Sequence, residues 1–180
     1  IRDTSVTGVQ TCALPIYWDF ISKYNELDKW YFLAKQYEKT KNIEPKKNSQ
    51  KIPKIIHQIW IGPKKLPSKY KRWIDSWKFF NPDWEYIFWD NNRIKELEVI
   101  NLNVYKKSNN YGFKSDLIRY EILNKYGGLY ADTDFECLQK LPESLLNYNF
   151  VSSVVFGWAP CLNNAIILAQ PGTKLLEDLI

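Results

Sequence analysis

The sequence is poor in the residues that build disulfide scaffolds, zinc sites and membrane spans. It has three cysteines in 180 residues, and Cys137 and Cys161 show no CxxC spacing. A zinc site or a disulfide framework is therefore not expected. The cysteine usage instead predicts a protein of a reducing compartment. The single histidine, His57, lies in an apolar segment and is better explained as structural than as a catalytic base. No apolar run reaches the roughly 18 residues that a membrane-spanning helix needs.

Methionine is absent altogether, so the chain shows no natural start. Residues 6–16, VTGVQTCALPI, resemble the translation of a sequencing adapter, and we interpret residues 1–16, with Cys12, as non-native. A signal peptide does not fit, because the stretch lacks a basic start and a continuous apolar core. A helical pattern still runs at residues 179–180. We therefore expect an internal piece of a longer protein.

Aromatic and apolar residues are abundant: 45% of the chain is hydrophobic, including 8 Trp, 12 Tyr and 9 Phe. This composition predicts a packed core rather than disorder, and the length fits about one domain. The net charge of +5 is uneven, with lysines concentrated in 35–54 and 64–72. A basic first half suits a phosphate-rich ligand or an anionic membrane surface. Taken singly, most of these lysines need no more explanation than a solvated surface.

Hydrophobic periodicity divides the chain into a helical N-terminal extension with a polar linker, 17–50, and a domain over 51–180. Within the extension, an amphipathic helix is predicted over 17–38. Strands are predicted at 52–61, 84–89, 129–131, 150–156 and 165–169. Helices are predicted at 67–80, 92–97, 115–126 and 173–180. This alternation indicates an α/β sandwich with a mainly parallel sheet, whose ligands bind beyond the carboxyl ends of the strands.

The acidic motif Asp132-Thr133-Asp134 directly follows the apolar strand GGLY. Carboxylate pairs at a strand end are a common way to hold Mg²⁺ or Mn²⁺ against a diphosphate. If the chain continues extended through 135–138, alternation places Glu136 on the same face as the two aspartates. A lone Asp-x-Asp is more often a solvated turn, but its position after a buried strand favours a metal site.

Further candidate residues fall on the neighbouring elements. Asp116 and Arg119 stand three apart on one face of a helix, where they can contact a sugar or a phosphate or simply pair with each other. Trp60, at the end of the first strand, can stack on a nucleobase or belong to the core. Tyr130 is equally ambiguous. Asp90 ends its strand and can cap the next turn or reach the site.

Four segments in this order resemble glycosyltransferase family 32 and its relatives, the DXD-containing sugar transferases. They are IPKIIHQIWIG, NPDWEYIFWD, FKSDLIRYEILNKYGGLYADTDFECL and LNNAIILAQPG, and the resemblance runs from about residue 52 to the end. It implies a GT-A fold, a Rossmann-like nucleotide-sugar-binding sandwich. The family includes bacterial capsular and lipopolysaccharide transferases, Golgi mannosyltransferases and clostridial glucosylating toxins.

The resemblance also implies roles for individual residues. Those at the nucleotide and donor sugar are Trp60, Ser115, Asp116, Arg119, Tyr130 and Asp132. Trp60 stacks on the base, Asp134 ligates the metal directly, and Asp132 lies near the ribose and the sugar. Asp132, Asp134 and Arg119 form the expected catalytic set. Ser115 is also predicted to cap its helix, with Asp116 in the first turn.

The implied reaction moves a hexose from UDP-hexose or GDP-mannose to a glycan or lipid-linked saccharide, with Mn²⁺ or Mg²⁺ as cofactor. Retention at the anomeric carbon follows from the likeness. The cysteine usage favours a cytoplasmic location, and the basic first half suits peripheral contact at the inner face of the membrane. No nucleic-acid partner is expected. The sequence offers no convincing general base.

Three alternatives stay open at this point. A haloacid-dehalogenase-like phosphohydrolase also places Asp-x-Asp after a strand, but it usually has Thr or Val where this chain has Glu136. A basic aromatic nucleic-acid-binding module explains the lysines and leaves the clustered acids unexplained. A truncated and inactive fragment that keeps the fold is the third.

Overall fold

The structure, a computed structural model, describes residues 27–40, 51–155 and 161–180. The helix predicted at 17–38 is confirmed in its second half as α1, Leu27–Thr40. Residues 17–26 lie outside the described residues, as do the segment 1–16 and most of the predicted linker.

The described residues form one five-stranded sheet in the order β2-β1-β3-β5-β4. Its strands are β1 Ile55–Ile59, β2 Glu85–Trp89, β3 Gly128–Ala131, β4 Phe150–Val155 and β5 Cys161–Ala169. β1 is parallel to both β2 and β3, whereas β5 is antiparallel to β3 and to β4. Four of these five strands therefore run in one direction, which confirms the predicted α/β class. β1 is shorter than predicted, and β5 begins four residues earlier.

Helices cover both faces of this sheet. They are α2 Tyr70–Phe80, α3 Leu102–Lys107, α4 Tyr111–Tyr126 and α5 Lys174–Leu179, with short 3₁₀ helices at Arg93–Glu96 and Glu143–Asn147. Neighbouring strand residues alternate between two hydrophobic clusters: Tyr130 packs with the α4 residues Ile118 and Ile122, while Leu129 packs with Trp77 of α2. Because both faces are buried, the strands read as continuous apolar runs. Neither α3 nor the second 3₁₀ helix was predicted.

Helix α4 begins one turn earlier than predicted, and this corrects the role expected for Ser115. The cap is Asn110, whose side chain accepts a hydrogen bond from the backbone N–H of Phe113 at 3.1 Å. Ser115 and Asp116 therefore lie in the second turn, where their side chains are available to the cleft described below. The predicted glycine stop is confirmed: Gly127 has φ of 64° and donates its N–H to Leu123 O, a conformation that glycine adopts without strain.

The single histidine is a fully buried structural residue, as predicted. Trp89 Nε1 donates to His57 Nδ1 at 3.1 Å, so His57 Nε2 carries the proton and donates to Gly127 O at 2.9 Å. The ring thus ties β1 to β2 and to the end of α4. Burial lowers the pKa of His57 from 6.5 to about 4, with Arg93 adding repulsion and the Gly127 bond opposing the shift.

This buried ring predicts a loss of stability in mild acid. The unfolded chain takes up a proton near pH 6.5 and the folded chain only near pH 4. The free energy of unfolding should therefore fall between these two pH values by up to roughly 3 kcal/mol, with no further loss from this residue below them. Urea unfolding at several pH values between 7 and 4 measures the effect. His57→Gln should show a shallower pH dependence, and parallel curves for the two proteins would exclude His57 as the cause.

Candidate functional site

A cleft lies beyond the carboxyl ends of β1 and β3, against the first half of α4. Its volume is about 620 Å³. It contains all seven residues that the sequence predicts for the site: Trp60, Ser115, Asp116, Arg119, Tyr130, Asp132 and Asp134. Asp90 does not line it. Residues more than 70 positions apart in the chain are brought together because parallel strands end at the same edge of the sheet.

Asp132 is held in a fixed orientation at the base of this cleft. Its Oδ1 accepts a hydrogen bond from the Tyr130 hydroxyl at 2.6 Å and lies 3.3 Å from Arg119 Nη2. Burial raises the pKa of the Asp132 carboxyl, and the carboxylates of Asp134 and Asp116 raise it further, while Tyr130 and Arg119 act in the opposite direction. The negative charges of the site therefore repel one another.

Arg119 is the buried cation that balances these carboxylates. Its side chain is 5% exposed, and Nη2 lies 2.7 Å from Asp116 Oδ1. The guanidinium packs over the Tyr130 ring at 4.5 Å, and Nη1 donates to Asn164 O. Its Nε is buried without a hydrogen-bond partner in the described residues. The expected intrahelical ion pair is therefore real, and it forms one part of a larger network.

Two polar residues of the site were missed by sequence reasoning. The first is Gln58, which is fully buried in β1: its amide nitrogen donates to Asp132 O at 3.0 Å, and its amide oxygen accepts from the Tyr86 hydroxyl at 2.8 Å. The backbone N–H of Asp132 also donates to Ala165 O. The glutamine inside the apolar run IIHQIW could have indicated this role, because a buried side-chain amide needs hydrogen-bond partners.

The second is Asn164 on β5. Its side-chain nitrogen donates to Asp116 Oδ1 at 3.2 Å, and its carbonyl oxygen accepts from Arg119 Nη1. One strand residue therefore orients both members of the Asp116–Arg119 pair. Nothing in the local pattern around Asn164 marks it, since the contact depends on how β5 pairs with β3.

The expectation that Glu136 joins the two aspartates on an extended strand is wrong. The chain turns at 132–135, where Phe135 N donates to Asp132 O, and no strand is formed over 135–138. Glu136 instead makes a two-point pair with Arg72 of α2, at 3.1 and 2.9 Å. Trp77 Nε1 donates to Phe135 O at 2.8 Å, so α2 holds this turn from behind.

Asp132 and Asp134 suit a divalent cation that a substrate helps to hold. Asp134 is exposed at the cleft, and no hydrogen bond or ion pair joins it to another described residue. The described residues contain no group of three or more His, Cys, Asp or Glu that could hold a metal. The protein thus offers two carboxylates rather than a complete cage. This is how Mg²⁺ is commonly bound, with substrate phosphates and water completing the coordination.

Trp60 forms one wall of the cleft. Its Nε1 donates to Lys64 O at 2.8 Å, and its ring meets Tyr70 edge-on with 5.6 Å between centroids. Tyr70 in turn stacks on Trp73 at 5.1 Å. Trp60 is only partly buried, so a core position is excluded. A supported aromatic wall opposite an acidic base suits a ligand with a planar ring at one end.

Residues 67–151 match the family described as the glycosyltransferase sugar-binding region containing a DXD motif. This match spans α2, the helix with Asp116 and Arg119, and the acidic turn. Over these residues the chain is similar to that family. Its fold is shared with a solved structure of the PaToxG glycosyltransferase, with a TM-score of 0.53 and 20% identity over 83% of this chain and 65% of that one. The predicted GT-A-like fold is confirmed.

Several curated proteins are similar to the chain. An uncharacterized glycosyltransferase of Acanthamoeba polyphaga mimivirus is 38% identical over 70% of this chain and 53% of its own length. Inositol phosphoceramide mannosyltransferase 3 of Schizosaccharomyces pombe is 35% identical over 56% of this chain and 29% of its own length. Subversion of eukaryotic traffic protein A of Legionella pneumophila is 28% identical over 78% of this chain and 26% of its own length. The chain therefore spans about half or less of these relatives. None of its described helices is long and apolar enough to cross a membrane.

Proposed function

We propose that this chain binds a nucleotide-activated hexose in the cleft and is the part of a glycosyltransferase that transfers the hexose to an acceptor hydroxyl. The observation that carries the proposal is the arrangement of Asp132. Arg119 and Tyr130 fix one of its oxygens, and the exposed Asp134 carboxylate stands two residues away at the same cleft. The carboxylates around the buried Arg119 side chain would repel a diphosphate alone. A diphosphate that carries a divalent metal ion suits this site better.

In this proposal each wall of the cleft binds a different part of the donor. Trp60 stacks on the nucleobase, with the edge of Tyr70 supporting the back of its ring. Asp116 and Arg119, oriented together by Asn164, face the hydroxyls of the donor sugar. Ser115 and Tyr130 complete the pocket around the ribose and the sugar.

The reaction requires stabilisation of charge on the leaving diphosphate. A bound divalent cation supplies this as a Lewis acid. Asp134 and Asp132 would hold the cation, and the Tyr130 hydroxyl keeps the Asp132 side chain in place. Arg119 adds a fixed positive charge beside the sugar, which needs no reorganisation during the reaction. No described residue at the cleft is placed as a general base, which fits a reaction in which the leaving phosphate accepts the acceptor's proton.

The names of the relatives narrow the choice of donor and acceptor. Those from Schizosaccharomyces pombe include three inositol phosphoceramide mannosyltransferases, so among the candidates we favour GDP-mannose and a lipid-linked acceptor over UDP-hexoses and glycans. Mn²⁺ and Mg²⁺ are the candidate ions. We place the reaction in the cytoplasm, at the inner face of the membrane when the acceptor is a lipid.

A thermal-shift screen tests the proposal. UDP, GDP, UDP-glucose and GDP-mannose are each added with Mn²⁺ or with EDTA. One nucleotide class should raise the unfolding midpoint by about 5–10 °C at a hundredfold excess over its Kd, because ligand binding stabilises only the folded state. The rise should vanish in EDTA. No metal-dependent shift with any of the four ligands would overturn the proposal.

A further inference from the structure

The loop after β1 meets the start of α4 at one glycine. Gly62 has φ of 109°, and a Cβ there would lie 3.0 Å from the Tyr111 ring. Trp60 stands two residues before Gly62, and Tyr111 opens the helix that bears Asp116 and Arg119. The two walls of the cleft therefore touch each other at a contact that no larger residue permits without displacing the ring.

A side chain from a third element fixes this contact. Asn91, two residues after the end of β2, accepts a hydrogen bond from Gly62 N–H at 2.9 Å and donates one to Gly62 O at 2.8 Å. These two bonds reproduce the pairing of adjacent strands, although both residues lie beyond the strand ends. They pair both the N–H and the C=O of the glycine backbone.

The segment that presents Asn91 is itself rigid. Asp90 Oδ1 accepts from the backbone N–H groups of Asn92 and Arg93, each at 2.9 Å, and Asp90 O accepts from Ile94 N. Asp90 therefore caps the turn that leads into the 3₁₀ helix, one of the two roles expected from the sequence. Because these hydrogen bonds hold the residues on both sides of Asn91, its backbone is fixed at the position from which its side chain contacts Gly62.

We propose that Asn91 is a positioning residue that sets the distance between the aromatic wall and the acidic wall of the cleft. It does not line the cleft and acts through Gly62, which it holds against Tyr111 while Trp60 is presented to the ligand. Without this clamp the loop 60–64 moves away from α4, and a ligand that spans both walls loses one of them. The inference rests on the proposed nucleotide-sugar function.

The test compares Asn91→Ala with Asn103→Ala, an exposed asparagine on α3, in the whole chain. Hydrogen exchange followed by mass spectrometry reports the clamp without any ligand. Asn91→Ala should exchange faster in the peptides that cover Gly62 and Tyr111 and equally fast in the peptides of β3 and β5. Nucleotide affinity in the presence of Mn²⁺ should weaken about five- to tenfold, as expected for two lost hydrogen bonds. Asn103→Ala should match wild type in both measurements.

Asn91→Asp adds a measurement that general loosening would not change. At neutral pH its carboxylate still accepts from Gly62 N–H but cannot donate to Gly62 O, so affinity should be reduced. As pH falls through the pKa of the new carboxyl, it regains a donor, and the affinity ratio of variant to wild type should approach one. Unchanged exchange in Asn91→Ala, or wild-type affinity in that variant, would overturn the inference. Failure of wild type itself to bind any nucleotide overturns the proposed function and this inference with it.

Discussion

Asp134→Asn should abolish metal-dependent nucleotide binding while leaving the fold intact. The asparagine keeps the size of the side chain but removes the charge that holds the cation. Because a metal bridge contributes several kcal/mol, we expect nucleotide affinity in Mn²⁺ to fall at least about a hundredfold. Stability without ligand should be unchanged or slightly higher, since Asp134 raises the pKa of Asp132 by repulsion. Calorimetric titration and thermal unfolding measure the two effects.

The matched control is Asp178→Asn. Asp178 is an exposed aspartate of α5 paired with Lys174, and its replacement should leave nucleotide binding as in wild type. If Asp134→Asn binds nucleotide with wild-type affinity in Mn²⁺, then Asp134 is not the metal ligand, and the acidic turn has another use.

Arg119→Met should damage both the fold and the site. Methionine fills much of the volume but leaves the carboxylates of Asp116 and Asp132 without their shared cation. Removing one partner from a buried ion pair typically costs about 3–5 kcal/mol. Both carboxylates are partly exposed, at 41% and 32%, so we expect about 3 kcal/mol from urea unfolding at neutral pH. Nucleotide binding should be lost as well, because Arg119 lies at the donor sugar in the proposal.

Arg72→Met provides the comparison for a surface arginine. Arg72 also makes a two-point carboxylate pair, with Glu136, but its side chain is 77% exposed. An exposed pair contributes about 0–1 kcal/mol, so this variant should remain close to wild type. Equal losses from the two substitutions would contradict the view that burial makes the Arg119 network important.

Local patterns were sufficient to predict the elements that place the site. The apolar run before Trp60 and the GGLY strand before Asp132 are both buried on two faces, and such strands leave a continuous hydrophobic signal. The rule that ligands bind beyond the carboxyl ends of parallel strands then brought both residues to one edge. Trp60 and Asp132 could therefore be predicted to lie at one edge of the sheet, whereas the pocket roles of the other five residues were implied by the family resemblance.

Features that depend on contacts between distant segments were not predictable in the same way. Asn110 rather than Ser115 caps α4, and both residue types are good caps, so sequence alone could not decide between them. The turn at 132–135 and the pairing of Glu136 with Arg72 depend on how α2 packs. Gln58, Asn91 and Asn164 act through partners more than 25 residues away in the chain.

The most direct measurement is calorimetric titration of the chain with the nucleotide selected by the thermal screen, in Mn²⁺ and in EDTA. We expect one binding site per chain in Mn²⁺, at least about a hundredfold weaker binding in EDTA, and loss of the metal-dependent component in Asp134→Asn. Binding that is equally tight in EDTA, or that survives Asp134→Asn with its metal dependence intact, would contradict a metal–diphosphate site at the acidic turn.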